Sequence, residues 1–182
     1  LFVCIRHRSF DGHTAALDAL ASGAAAVVTQ DRLGLENELR VADSRSAYAR
    51  LCAALCNHPE RKLRMIGVTG TNGKTTVTTL IRNILSDSGT KTLLTGTVCN
   101  RLGDENLPSG LTTPKPPELY SLLSRAVSQR CKACVMEASS QALAQGRLEG
   151  IDFDAAVFTN ITRDHLDYHG TFAVSYTHLR AH

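Results

Sequence analysis

The sequence predicts an α/β protein: a parallel sheet with flanking helices, preceded by the end of a smaller α/β unit. Three observations carry this. A short apolar run, Met65-Ile66-Gly67-Val68, leads into the loop Thr69 to Gly73 and then into a helical pattern of Val77, Leu80, Ile81, Ile84 and Leu85. Further apolar runs alternate with helical stretches, the pattern of parallel strands joined by crossover helices. Polar residues collect where the runs end, at 69–75, 95–97, 137–140 and 160–165. In open parallel sheets ligands bind at the carboxyl ends of the strands.

Taken in order, Leu1 to Ile5 reads as a buried strand and Asp11-Gly12 as a turn. Ala15 to Ala21 has alanine and leucine at helical spacing, with Thr14 as its cap and Ser22-Gly23 as its stop. Ala25 to Val28 reads as a second strand and Val41-Ala42 as a short third. Ser44 to Cys56 puts Ala47, Leu51, Ala54 and Leu55 on one helical face, and Asn57-His58-Pro59 ends it. The charged stretch Glu60 to Arg64 reads as a linker at a domain boundary. What precedes it is too small to be a whole binding domain and reads as the tail of one.

Beyond the linker, the helix after the glycine loop runs to Ser88 and stops at Gly89. Lys91 to Thr95 is a strand, Gly103 to Gly110 a loop, and Pro117 to Gln129 a helix opened by proline. Ala133 to Met136 is a strand that ends on Glu137, and Ala155 to Phe158 another that ends on Thr159-Asn160.

With 182 residues the chain is long enough for one domain or parts of two. Hydrophobic residues at 43% and charged residues at 20% give a globular, soluble character. A net charge of +3 argues for neither nucleic acid nor a membrane surface, and the absence of tryptophan weakens any base-stacking role. No apolar run approaches the ~20 residues of a membrane helix. The chain opens on Leu-Phe-Val-Cys-Ile with neither methionine nor a basic stretch, so no signal peptide is expected and the native start lies upstream. Cys131-Lys-Ala-Cys134 has metal-like spacing but no second ligand pair, so Cys134 is read as a buried strand residue. Free thiols fit a reducing cytoplasm.

The chemistry centres on Thr69-Gly-Thr-Asn-Gly-Lys-Thr-Thr76. A glycine-rich loop lets backbone N–H groups turn in around phosphate oxygens, and the helix that follows points its positive end there. Lys74 can reach terminal phosphates and the Thr75 hydroxyl can ligate Mg²⁺. The usual pattern asks for a glycine at position 68, which is Val here. A plain helix start with an exposed lysine is the alternative. Glu137, at a strand end beside this loop, suits a Mg²⁺ ligand, and Ser139 and Ser140 suit a helix cap. Thr162 to Gly170 is dense in charge and imidazole; His165 and His169 would share a helical face, but nothing else in the chain completes a zinc site.

With these pieces quoted, the chain resembles the Mur ligases of bacterial cell-wall synthesis, and among them those that add a third amino acid. The matching stretches are Gly67 to Thr76, Leu111-Thr-Thr-Pro114, Met136 to Ser140 with Gln145 and Arg147, and Phe153 to Gly170. The resemblance implies a truncated ATP-binding central domain at 63–172, the end of a UDP-substrate domain at 1–62, and a non-native tail at 173–182. It also implies a reaction: ATP phosphorylates the D-Glu carboxylate of UDP-MurNAc-L-Ala-D-Glu, and the amine of diaminopimelate or lysine attacks the acyl phosphate. By the family pattern Gly70, Thr71, Asn72, Gly73, Lys74, Thr75 and Thr76 hold ATP. Thr75, Glu137 and His165 hold Mg²⁺, and Lys74, Glu137 and His165 are the catalytic set. Thr112, Thr113, Ser139, Gln145 and Arg147 contact the UDP-linked substrate, with Arg8, Ser9 and Phe10 in the uridine-side loop. A cytoplasmic monomer acting on small molecules, without nucleic acid or membrane, is the expected setting.

Two departures stand out. The family lysine that follows the His-Gly segment has no counterpart, since no lysine follows Lys132. The C-terminal domain is also absent, so the polypeptide is read as an inactive fragment. The alternatives are a folylpolyglutamate or cyanophycin synthetase, or a non-catalytic ATP-binding module.

Overall fold

The computed structural model describes residues 1–7 and 9–160; Arg8 and the stretch 161–182, with His165 and His169, lie outside the described residues. In the first part, β1 (Phe2–Val3), β2 (Val27–Thr29) and β3 (Glu38–Arg40) pair in parallel in the order β1-β2-β3. Cys4, Ala16 and Val27 make a small core under α1 (Ala16–Ala21).

Two local expectations change here. The cap is Asp11, not Thr14: a 3-10 turn, Gly12–Ala15, precedes α1, and the Asp11 carboxylate accepts the His13 N–H. The Thr14 hydroxyl instead donates to the Asp11 carbonyl. The third strand is Glu38–Arg40 rather than Val41-Ala42. Its first residue is polar because the Glu38 carboxylate accepts the N–H groups of Leu33, Gly34 and Leu35 and the Thr29 hydroxyl.

The helix α2 (Ser44–Leu55) is capped by Asp43, which accepts the Arg45 N–H. It stops because Asn57 and His58 turn left-handed, at φ of 56° and 51°. The expected linker is a 3-10 turn, Pro59–Lys62, whose Pro59 and Glu60 are buried. Glu60 lies inside because His58 Nδ1 meets its Oε1 at 2.9 Å.

The second part has β4 (Arg64–Thr69), α3 (Lys74–Asp87), β5 (Thr92–Thr95), β6 (Asn100–Leu102), β7 (Glu105–Leu107), α4 (Pro116–Ser128), β8 (Ala133–Glu137), α5 (Ser140–Ala144) and β9 (Ala155–Phe158). They form one sheet in the order β7-β6-β5-β8-β4-β9. The strands β5, β8, β4 and β9 run parallel. The expected loop at 103–110 is instead the turn and second strand of an antiparallel hairpin, β6–β7, on the β5 edge.

Side-chain alternation sorts the two faces of the sheet. Met65, Leu93, Cys134 and Met136 join Leu119, Leu123 and Ala126 of α4 in the main core, which also takes Cys52 and Ala53 from α2. Full burial of such a leucine stabilises by about 1.5–3 kcal/mol. Leu94 and Val135 point to the other face, where α3 packs. All six cysteines are free thiols, and burial pushes the Cys134 thiol up to about 12. The Cys131/Cys134 pair is thus core material, as its apolar setting predicts.

Candidate functional site

The strands β4, β5, β8 and β9 end side by side, and each delivers one polar piece to the same place. Thr69 ends β4 and the chain turns through Gly70, at φ of +130°, and Gly73, at φ of +85°, into α3. Only glycine fits at 70: a Cβ there would lie 2.2 Å from the Thr159 hydroxyl and 2.7 Å from the Asn160 carbonyl. Lys74, the first residue of α3, curls back and donates from Nζ to the carbonyls of Gly70 and Thr71, at 2.8 and 2.9 Å. The first amides of a helix have no intrahelical partners and carry its positive dipole end. At α3 they follow directly on the glycine loop, the arrangement that suits an anion site.

Glu137 ends β8 opposite Val68 and is 1% exposed. Its Oε1 accepts the Thr75 hydroxyl at 2.9 Å and the Thr97 N–H at 3.0 Å, and its Oε2 accepts the Thr97 hydroxyl at 2.9 Å. These donors, among the described residues, are all neutral. A buried carboxylate met by neutral donors alone is a costly arrangement that a cation offsets. Gly96 permits the approach, because a Cβ there would sit 2.3 Å from Glu137 Oε1.

The residues expected on the substrate side also converge. The Thr113 hydroxyl donates to the Glu137 carbonyl at 2.7 Å and accepts the Ser139 N–H at 3.0 Å. Ser139 caps α5 by accepting the Ala142 N–H. Arg147 donates from Nη1 to the Thr113 carbonyl at 2.8 Å, and from Nε and Nη2 to Gln145 Oε1 at 2.9 and 2.6 Å. Thr112 Oγ1 lies 3.0 Å from Thr97 Oγ1 and so joins this group to Glu137. Gln145 and Arg147 open onto a cavity of about 470 Å³, lined also by Phe2, Arg45, Tyr48 and Lys115. This cavity lies beside that residue group, not over the glycine loop.

Of the residues expected at the site, the structure gathers Gly70 to Thr76, Thr112, Thr113, Glu137, Ser139, Gln145 and Arg147. It does not bring in Ser9 and Phe10, which are exposed and line none of that cavity. Arg8 and His165 lie outside the described residues. Sequence reasoning gave no role to Gly96, Thr97, Thr159 or Asn160, although all four stand at strand ends where polar residues gather.

Comparison with known proteins agrees with this geometry. Residues 68–177 match the model of the Mur ligase middle domain, a stretch that continues beyond Phe172. The chain is 46% identical over 172 residues to the UDP-N-acetylmuramoyl-L-alanyl-D-glutamate–2,6-diaminopimelate ligase of Geobacillus kaustophilus, covering 94% of this chain and 35% of the relative. It is 40% identical over 174 residues to the ligase of the same name from Clostridium perfringens, covering 94% and 36%. A solved structure of a ligase of that name superposes with a TM-score of 0.78 at 36% identity, over 92% of this chain and 35% of the other. The MurF ligase of Thermotoga maritima shares the fold, with a TM-score of 0.57 at 23% identity over 97% of this chain and 38% of the other. The chain thus spans about a third of the length of the curated relatives it matches. With strand, glycine loop, helix and buried strand-end glutamate in this order, and the match running over residues 68–177, the chain belongs to the Mur ligase middle-domain family.

Proposed function

We propose that the protein carrying this chain is an ATP-dependent acid–amino-acid ligase that joins diaminopimelate to UDP-MurNAc-L-Ala-D-Glu in peptidoglycan synthesis. Residues 1–62 belong to the UDP-substrate side and residues from 63 to the ATP side. The observation that carries this is the contact of Thr75 with Glu137, 2.9 Å, at the foot of the glycine loop. A hydroxyl and a carboxylate side by side are both hard oxygen ligands, which supports a Mg²⁺ role for the pair. The identity of 40–46% to ligases of that name supports this reading over the folylpolyglutamate and cyanophycin synthetases or an ATP-sensing module.

The task is to activate a carboxylate toward an amine while bringing two anions together. Lys74 exchanges the carbonyls of Gly70 and Thr71 for phosphate oxygens of ATP, and the first amides of α3 meet the same phosphates. Thr75 and Glu137, with His165, would hold Mg²⁺, which would supply positive charge against the transferring phosphoryl group. Nucleotide oxygens and water would complete the shell of a Mg²⁺ held there. Arg147, with Gln145, Thr112, Thr113 and Ser139, orients the UDP-linked dipeptide so that its carboxylate reaches the γ-phosphate. The carboxylate takes the γ-phosphoryl group as its bond to ADP breaks and ADP leaves. The amine then attacks the acyl carbon, the C–N bond forms as the C–O bond to phosphate breaks, and inorganic phosphate and the amine's proton leave. Among the described residues no helix is long and apolar enough to cross a membrane. A cytoplasmic monomer is the setting that suits ATP and free thiols.

The test uses the full-length protein. Lys74→Ala should weaken ATP binding by more than tenfold in calorimetry and lower kcat/KM for phosphate release by ~10² or more. Phosphate release should require the UDP-dipeptide together with diaminopimelate. Unchanged ATP affinity in this variant, or release with neither acceptor, would overturn the proposal.

A further inference from the structure

The glycine loop is not held by its own strand and helix alone. It is tied to the end of β9 by Thr159 and Asn160. Asn160 receives the Thr71 N–H on its carbonyl at 2.9 Å and the Asn72 N–H on its side-chain oxygen at 3.0 Å. Its side-chain nitrogen donates back to the Asn72 carbonyl at 3.0 Å. The Thr159 hydroxyl donates to the same carbonyl at 2.7 Å and lies 3.2 Å from the Thr69 carbonyl. The Thr159 N–H donates to Thr69 O at 3.0 Å.

This pattern divides the loop. The amides of Thr71 and Asn72 are spent on Asn160, so they do not turn toward phosphate. The loop's remaining turn, through Gly73 into the first turn of α3, is the part that can face an anion. A planar amide that pairs with both the N–H and the C=O of Asn72 fixes the orientation of the peptide groups on either side of it. The segment it fixes runs between two glycines with positive φ, the part of the loop with most freedom to lose on binding. A loop already in its bound shape binds more tightly than one that must be ordered by its ligand.

We infer that Asn160, supported by Thr159, is a positioning residue for nucleotide binding: it holds residues 70–72 so that the amides of the α3 N-terminus meet the phosphates. This rests on the nucleotide reading above. Neither residue touches the phosphates; each acts through Asn72 and Thr69.

The experiment measures ATP affinity by calorimetry in the full-length protein, with and without Mg²⁺, for Asn160→Ala, Thr159→Val and Lys74→Ala. Affinity for the UDP-linked dipeptide and the melting temperature are recorded alongside. Asn160→Ala should weaken ATP about tenfold in both conditions and Thr159→Val about threefold, while UDP-dipeptide affinity stays within twofold of the parent. Equal loss of both ligands with a large fall in melting temperature, in Thr159→Val as well as Asn160→Ala, would make the contact merely structural and overturn the inference. Normal ATP affinity in Asn160→Ala with a weakened Lys74→Ala would overturn it while leaving the nucleotide site standing. Normal affinity in Lys74→Ala would remove the nucleotide site itself, and the inference with it.

Discussion

Asp11 and Glu137 show how differently two carboxylates can be used. Asp11 is partly exposed, and its acidity is set first by the His13 N–H, then by the His13 ring and Arg6, which draw it from 3.8 to about 2. The lowered value means that the ionised form is the one the fold favours. Its contribution is therefore present above about pH 4 and disappears as pH falls toward 2. Asp11→Asn should lower the melting temperature slightly at pH 7, and the gap from the parent should close between pH 4 and 2 in a series of thermal melts. A gap that persisted at pH 2 would mean that the charge was not the cause. At this scale the sequence was readable where chemistry is local. Lys74, Thr75 and Glu137 announce themselves by residue type at the end of an apolar run. Asp11 did not, because its cap serves a 3-10 turn that begins before the helical pattern does. Asn160 was visible as a polar strand end, but its partner Asn72 lies 88 residues away, and no spacing rule links them.

Among the elements, the meeting of β5 with β8 matters most for the site. The chain leaves β5 through Gly96, and the Glu137 carboxylate occupies the space where a side chain would be. Gly96→Ala should displace that carboxylate and remove the Mg²⁺ dependence of ATP binding by tenfold or more, with Mg²⁺-free affinity retained; calorimetry with and without the metal separates the two. Equal Mg²⁺ dependence in variant and parent would show that Glu137 can adjust without loss. The parallel strands β4, β8 and β9 were legible as short continuous apolar runs that end on polar residues. The hairpin β6–β7 was not. Asn100 is 1% exposed and donates from its side chain to the Pro108 carbonyl, so a buried polar residue stood where an apolar one would have signalled a strand. The strand β3 was missed because its residues are polar or exposed, with the Glu38 carboxylate spent on holding the turn at 33–35.

For the molecule as a whole, one core spans what the composition suggested were two parts. Cys52 and Ala53 of α2 share it with Leu63, Met65 and the inner face of α4. Leu123, fully buried there, should report on the whole body: Leu123→Ala is expected to cost about 2–5 kcal/mol in urea denaturation. A loss below ~1 kcal/mol would show that this core does not hold the fold together. The charged stretch after α2 misled because charge usually marks solvent, whereas Glu60 is buried and partnered by His58. The strand order has one more implication, for synthesis. Both neighbours of β4 are β8 and β9, which leave the ribosome more than sixty residues later than β4 itself. The nascent chain thus carries its glycine loop without the walls that shape it until those two strands have been made. The loop takes its folded shape only once the stretch ending at Asn160 has been made.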